Sequence, residues 1–212
     1  MSPLAVSLLA YLAAAGLLTL TPGVDTAMVL RASAAEGRRA GFAATAGICL
    51  GCLVWGMGAA FGLTAVLAAS TLAFTVVKWV GAAYLAWLGI KLILKPRASF
   101  AEASAPGAPG PTGVWSAFRR GLFTNLLNPK VGVFYITFLP QFIPPGYNVA
   151  AMSLLLAGVH VLLGVIWLSV LVTLTASLGR VLRRPAVVRA MDRLTGVVFI
   201  AFGVRLALTE AH

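Results

Sequence analysis

The sequence predicts an all-α polytopic membrane protein with six transmembrane helices in two inverted three-helix repeats, the first and fourth helices being broken. Three observations carry this. Hydrophobic residues make up 60% of the 212-residue chain and charged residues only 10%, with a mean hydropathy of +0.98, whereas soluble domains carry roughly a quarter charged residues. The lysines and arginines sit in short clusters between long apolar runs. Two of those runs are interrupted, at corresponding places, by a proline-centred motif. The net charge of +11 could serve nucleic acid in a soluble chain, but here the basic clusters read as membrane-orientation signals, so the bilayer is the expected partner and nucleic acid is not.

The first span runs from about Leu4 to Leu30. Met1-Ser2-Pro3 lacks the basic region of a signal peptide, so this run reads as a retained span. It is interrupted by Thr21-Pro22-Gly23-Val24-Asp25. Proline removes a backbone donor and clashes with the preceding turn, and glycine relaxes the chain, so the helix should break there. Asp25 is the one acidic residue well inside an apolar run. A carboxylate at the bilayer centre costs roughly 2.5 to 3.5 kcal/mol on insertion scales, and irregular backbone is tolerated there only where it is buried in protein or lines a cavity.

Arg31, Arg38 and Arg39 follow, and the chain then carries no charge from Ala40 to Val77. One span needs ~20 residues, so this stretch must cross, turn near Ala68-Ala69-Ser70-Thr71 and enter a third span that starts around Lys78. Gly47-x-x-x-Gly51 and Gly58-x-x-x-Gly62 in span two are spacings that allow close helix packing. Residues 1–97 form the first repeat, and 98–114, rich in Ala, Pro, Gly and Ser, a flexible cytoplasmic linker. The second repeat, 115–212, opens with Arg119 and Arg120. Its first span, the fourth of the chain, is broken at Asn128-Pro129-Lys130 and continues to Phe142. After the turn signal at Pro144-Pro145-Gly146, span five runs toward Leu178, and span six covers Leu194 to Leu208.

Arginines and lysines crowd the first–second, third–fourth and fifth–sixth connections, which places those connections in the cytoplasm and both termini outside. The repeat is visible in the residues themselves. Lys78, Gly81, Tyr84, Ala86, Gly89 and Lys91 of span three match Arg193, Gly196, Phe199, Ala201, Gly203 and Arg205 of span six, with one residue dropped. The Pro22 break then corresponds to the Pro129 break. Paired interruptions in an inverted repeat point to a central transport site, where two broken helices meet near the midplane.

Thr21-Pro22-Gly23-x-Asp25, the run from Arg31 through Gly37 and Arg39 to Gly41, Gly121-Leu-Phe-x-Asn125-x-x-Asn128-Pro129-Lys130 and Phe138-Leu-Pro140-Gln141-Phe142 together resemble the LysE/RhtB family of amino-acid exporters. Val24 stands where that family usually has a second proline. The resemblance implies two inverted triplets of spans in a bacterial cytoplasmic (inner) membrane. It also implies export of amino acids or close derivatives, driven by the proton-motive force, so that protons are partners alongside a small-molecule substrate.

Physical reasoning identifies the same residues. An α-amino acid is a zwitterion, complementary to Lys130 and a helix N-terminus on one side and to Asp25 and free carbonyls on the other. Asp25, Lys130, Asn125 and Asn128 are therefore the expected substrate- or proton-binding residues, and Thr21, Pro22, Gly23 and Pro129 form the breaks. The competing structural role is a permanent Asp25–Lys130 ion pair. His160 could relay protons or be a neutral histidine bonded to a neighbouring helix. Trp55 and Trp167 either line the cavity or fill it. Cys49-x-x-Cys52 reads first as packing, and otherwise marks a thiol-disulfide or heavy-metal handling protein. No nucleotide-binding loop and no catalytic set is apparent, so neither an enzyme, a metal nor a cofactor is expected. A homo-oligomer is compatible with the chain.

Overall fold

The computed structural model describes residues 2–69, 71–96, 113–175 and 184–208. All of their regular structure is helical. The elements are α1 (Pro3–Leu20), α2 (Val24–Glu36), α3 (Arg38–Ala69), α4 (Thr71–Leu94), α5 (Gly113–Leu126), α6 (Pro129–Val133), α7 (Val149–Thr173) and α8 (Pro185–Leu208). Between α6 and α7 the chain winds through a π turn at Phe134–Phe138 and a 3-10 turn at Leu139–Phe142. Pro140 has no N–H to offer the Ile136 carbonyl, so a regular α-helix cannot continue through it.

Both sequence-predicted interruptions are present. α1 stops at Leu20 and α2 starts at Val24, the residue in the place of the family's second proline. α5 stops at Leu126, and Asn128 caps α6 by accepting the Lys130 backbone N–H on its side-chain oxygen at 3.1 Å, with Pro129 at the first helical position. α2 and α3 are separated by Gly37 alone, whose φ of 89° is a conformation that side chains rarely adopt. α3 ends at Ala69 and α4 begins at Thr71, and Ser70, in the expected turn between spans two and three, lies outside the described residues.

Three helix limits differ from expectation. α4 begins at Thr71 rather than near Lys78, α5 at Gly113 rather than at Arg119, and α8 at Pro185 rather than at Leu194. In α8 the added turns carry Arg189 and Arg193, good helix formers that extend a helix beyond its apolar run, whereas the added turns of α4, residues 71–77, are themselves uncharged and continue the apolar run. The extension of α8 also carries Asp192, 0% exposed, so Asp25 has a buried acidic counterpart that the apolar runs did not reveal. Among the described residues, three helical stretches, Pro3–Leu20, Arg38–Gly62 and Val149–Thr173, are long and apolar enough to cross a membrane, and Trp79–Leu94 is a shorter apolar helix. Residues 98–112 of the expected linker and the arginines at 180 and 183 lie outside the described residues, and the linker's last two residues, Gly113 and Val114, belong instead to α5.

Close helix crossings are made where side chains are missing. On Gly47 a Cβ would run into the Phe118 carbonyl, and on Gly121 into that of Ala44, so α3 and α5 touch backbone to backbone. Gly51 packs on the Asn125 side chain, while Gly58 and Gly62 meet nothing within 4 Å, so among the described residues the first small-residue pair of span two packs a helix and the second does not. α4 and α8 cross at Gly89 and Gly196, where a Cβ on either would lie 2.6 Å from the other's carbonyl oxygen. Gly203 rests on Ala82, so the two helices run antiparallel.

The buried side chains form two cores. One gathers Tyr11, Phe134, Tyr135, Phe138 and Phe142 with Leu85, Leu156 and Phe199. The other gathers Val29, Leu30, Ala44, Ala117, Leu171 and Val172. The breaks lie between them, and α3 and α7 run through both.

Candidate functional site

Each proline leaves one carbonyl of the preceding helix without its donor. In an unbroken α1 the Leu18 carbonyl would accept from residue 22, and in an unbroken α5 the Asn125 carbonyl would accept from residue 129. Both of those residues are prolines. The structure supplies replacements from elsewhere in the chain. Lys130 Nζ donates to the Leu18 carbonyl and to the Thr21 carbonyl, each at 3.1 Å. The Asn125 carbonyl accepts from the Asn128 N–H at 3.0 Å and from Trp55 Nε1 at 3.4 Å. The lysine therefore sits at the C-terminus of α1, where the helix dipole favours a cation.

Asp25 lies in the first turn of α2, where the dipole favours an anion. Its Oδ2 accepts from Asn125 Nδ2 at 2.9 Å and from Asn128 Nδ2 at 3.3 Å. Each break is thus held by side chains of the other: the cation from the second break closes the end of α1, and amides from the second break hold the aspartate of the first. Asp25 and Lys130 lie within Coulombic range of each other, and hydrogen bonds to amides and to carbonyls hold each in place. Asp25 Oδ1 and Asn125 Oδ1 are buried with no hydrogen-bond partner among the described residues.

The sequence-predicted residues mostly converge. Asp25, Asn128, Lys130, Thr21, Gly23 and His160 all line one cavity of about 60 Å³, several times the roughly 10–15 Å³ that one water needs. Asn125 is fully buried behind it, holding Asp25 and donating to Cys52 Sγ at 3.4 Å. Trp55 closes the second break, its ring lying where a Cβ on Gly132 would come within 2.9 Å. Trp167 does not join them; it packs against the other core, with its Nε1 buried and unpartnered among the described residues. His160 Nδ1 is 3.0 Å from the Tyr135 hydroxyl, so its polar contact is to another helix.

Cys49 and Cys52 are free, buried thiols on the cavity wall. Among the described residues no group of three or more His, Cys, Asp or Glu is placed to hold a metal ion. Sequence reasoning missed Thr195, whose hydroxyl is 2.7 Å from that of Thr21 and ties α8 to the first break. Its one sequence signal is its place beside Gly196 in the repeated segment, where span three has Val80. It also missed Tyr135, which nothing in the local pattern marks as polar-contacting. Away from the cavity, Arg120 of α5 pairs with Glu36 at the end of α2 and donates to Ser116 Oγ at 3.1 Å.

The profile of the LysE type translocator family matches residues 16–210. The chain is similar to an uncharacterized membrane protein of Bacillus subtilis, 31% identical over 96% of this chain and 99% of the relative. It is similar to a homoserine/homoserine lactone efflux protein of Salmonella typhimurium, 31% identical over 93% of this chain and 94% of the relative. It is also 29% identical to a leucine efflux protein of Klebsiella pneumoniae, over 96% of this chain and 95% of the relative. No solved structure matches.

Proposed function

The chain belongs to the LysE type translocator family, and from that premise we propose that it exports small, neutral amino acids or close derivatives from the cytoplasm. It is a multi-pass membrane transporter, not an enzyme. The observation that carries the substrate class is the cavity, which brings one carboxylate and one ammonium together from two different broken helices. Both charges are held by groups that a zwitterion can replace: the substrate carboxylate can compete with the Leu18 and Thr21 carbonyls for Lys130, and its ammonium can compete with the amides for Asp25. In another conformation Asp25 takes the coupling proton. The relatives named for efflux of homoserine, its lactone and leucine fit a neutral substrate.

Two inverted repeats, residues 1–97 and 115–212, would account for several packing relations. α4 and α8 cross antiparallel with Gly89 on Gly196, and the repeat's counterpart of that contact is Gly203 on Ala82, the neighbour of Gly81. α3 packs on α5 as α7 packs on α1, the exchange that a pseudo-two-fold axis demands. With a core on each side of the cavity, alternating access means opening one core while the other stays packed. The termini lie outside: a cysteine at Ser2 should react with an impermeant thiol reagent in intact cells, and silence there with reaction at Ser104 would reverse the orientation. No observation favours thiol or heavy-metal chemistry at Cys49 and Cys52.

The double variant Asp25→Asn with Lys130→Met tests the site. It should regain the membrane stability that each single change loses, yet fail to lower intracellular amino acid after dipeptide feeding. Full export by the double variant would reduce the two residues to a structural brace.

A further inference from the structure

The cavity has two unlike walls. The broken segments supply its polar side, with Thr21, Asp25, Asn128 and Lys130. The unbroken helices supply the other: Ile48 and Cys49 from α3, and Val161, Gly164 and Leu168 from α7. His160, the one titratable group that α7 contributes, turns its Nδ1 to Tyr135. An occupant held at its charged end by the breaks would extend its remaining atoms toward this apolar wall.

Gly164 is the one lining position on α7 that has no side chain. A Cβ built there meets only Cys49 Sγ, at 4.0 Å, which is ordinary van der Waals contact. Most glycines of the helix crossings differ: Gly47, Gly51, Gly56, Gly89, Gly121 and Gly196 all have neighbours that a Cβ would strike. Gly164 is therefore not required for helix packing or for backbone conformation. What its missing side chain creates is room in the cavity.

We infer that the wall formed by Ile48, Val161, Gly164 and Leu168 receives the substrate's side chain, that this side chain is aliphatic, and that Gly164 sets its maximum length. The inference rests on the amino-acid exporter reading and adds to it the subsite that discriminates between substrates. One methylene more or less in an apolar pocket changes selectivity by roughly 10- to 200-fold. A methyl group added at residue 164 should therefore cost the longest transported side chain at least about 10-fold in flux, while leaving the shortest almost untouched.

The experiment uses purified full-length protein in liposomes loaded in turn with labelled glycine, alanine, valine and leucine, and separately with labelled homoserine. Gly164→Ala and Gly164→Val are compared with wild type and with Gly158→Ala. Gly158 lies on the same helix, exposed, with nothing within 4 Å of a Cβ, so it controls for the general effect of alanine in a helix. The expected result is a graded loss, leucine and valine first with Gly164→Ala and then alanine with Gly164→Val, and no change with Gly158→Ala. Val161→Ala, which widens the same wall, should shift preference toward leucine and keeps the test alive if a residue-164 variant misfolds. An equal loss of all four substrates in a folded Gly164→Ala protein, or an unchanged profile, would overturn the inference while leaving the exporter reading intact. Wild-type liposomes that release labelled homoserine but none of the four would overturn the aliphatic inference, and liposomes that release none of the five would instead overturn the exporter reading itself.

Discussion

Replacing Lys130 by methionine probes the arrangement at the first break, because it removes the donor that stands in for the N–H that Pro22 lacks. Two bonds disappear, to the Leu18 and Thr21 carbonyls. Hydrogen bonds from a charged donor contribute about 1.5 to 3 kcal/mol each, so their loss amounts to about 3 to 6 kcal/mol. The gain from no longer desolvating an ammonium offsets part of it. Asp25 also loses a nearby compensating charge, and breaking one side of a buried charge arrangement typically costs about 3 to 5 kcal/mol. The expected net destabilisation is therefore about 3 to 5 kcal/mol, read as a fall in the thermal midpoint of the purified protein. A second change tests the reason. Pro22→Ala restores an N–H that can reach the Leu18 carbonyl, so in the Lys130→Met background it should recover about 1 kcal/mol, one ordinary hydrogen bond. In the wild-type background that carbonyl already has its donor, so the gain should be smaller. A Lys130→Met protein that melts with wild type, or a Pro22→Ala effect equal in both backgrounds, would refute the account.

Two further outcomes follow from the packing. Gly89→Ala places a Cβ 2.6 Å from the Gly196 carbonyl oxygen and should destabilise by about 1 to 3 kcal/mol, measured by thermal unfolding, whereas Gly58→Ala, which meets nothing, should not destabilise. Changing both Cys49 and Cys52 to alanine should leave export intact in the dipeptide-feeding assay with only a modest stability cost, because Cys52 accepts one bond from Asn125; loss of export in a folded protein would return the thiols to the functional site.

The helical class, the membrane setting and the two breaks were all legible in the sequence, because each is a local or compositional property. Proline without an N–H interrupts a helix wherever the fold puts it, and long uncharged runs require lipid or a core. The need for partners at Asp25 and Lys130 was legible for a related reason: both charges are costly in an apolar segment unless something compensates them. What compensates them was not. The sequence offers each charge the other or a zwitterionic substrate as partner, and only the tertiary structure brings Lys130 to the open end of α1 and two asparagine amides to Asp25. Thr195 and Tyr135 depend in the same way on which helix lies alongside the breaks, and Gly164 is one glycine among 22 until the cavity is seen. A chain can declare where its backbone loses a donor or its apolar run acquires a charge; which distant group satisfies that demand is decided by helix packing, since the partner lies a hundred residues away and nothing local encodes their distance.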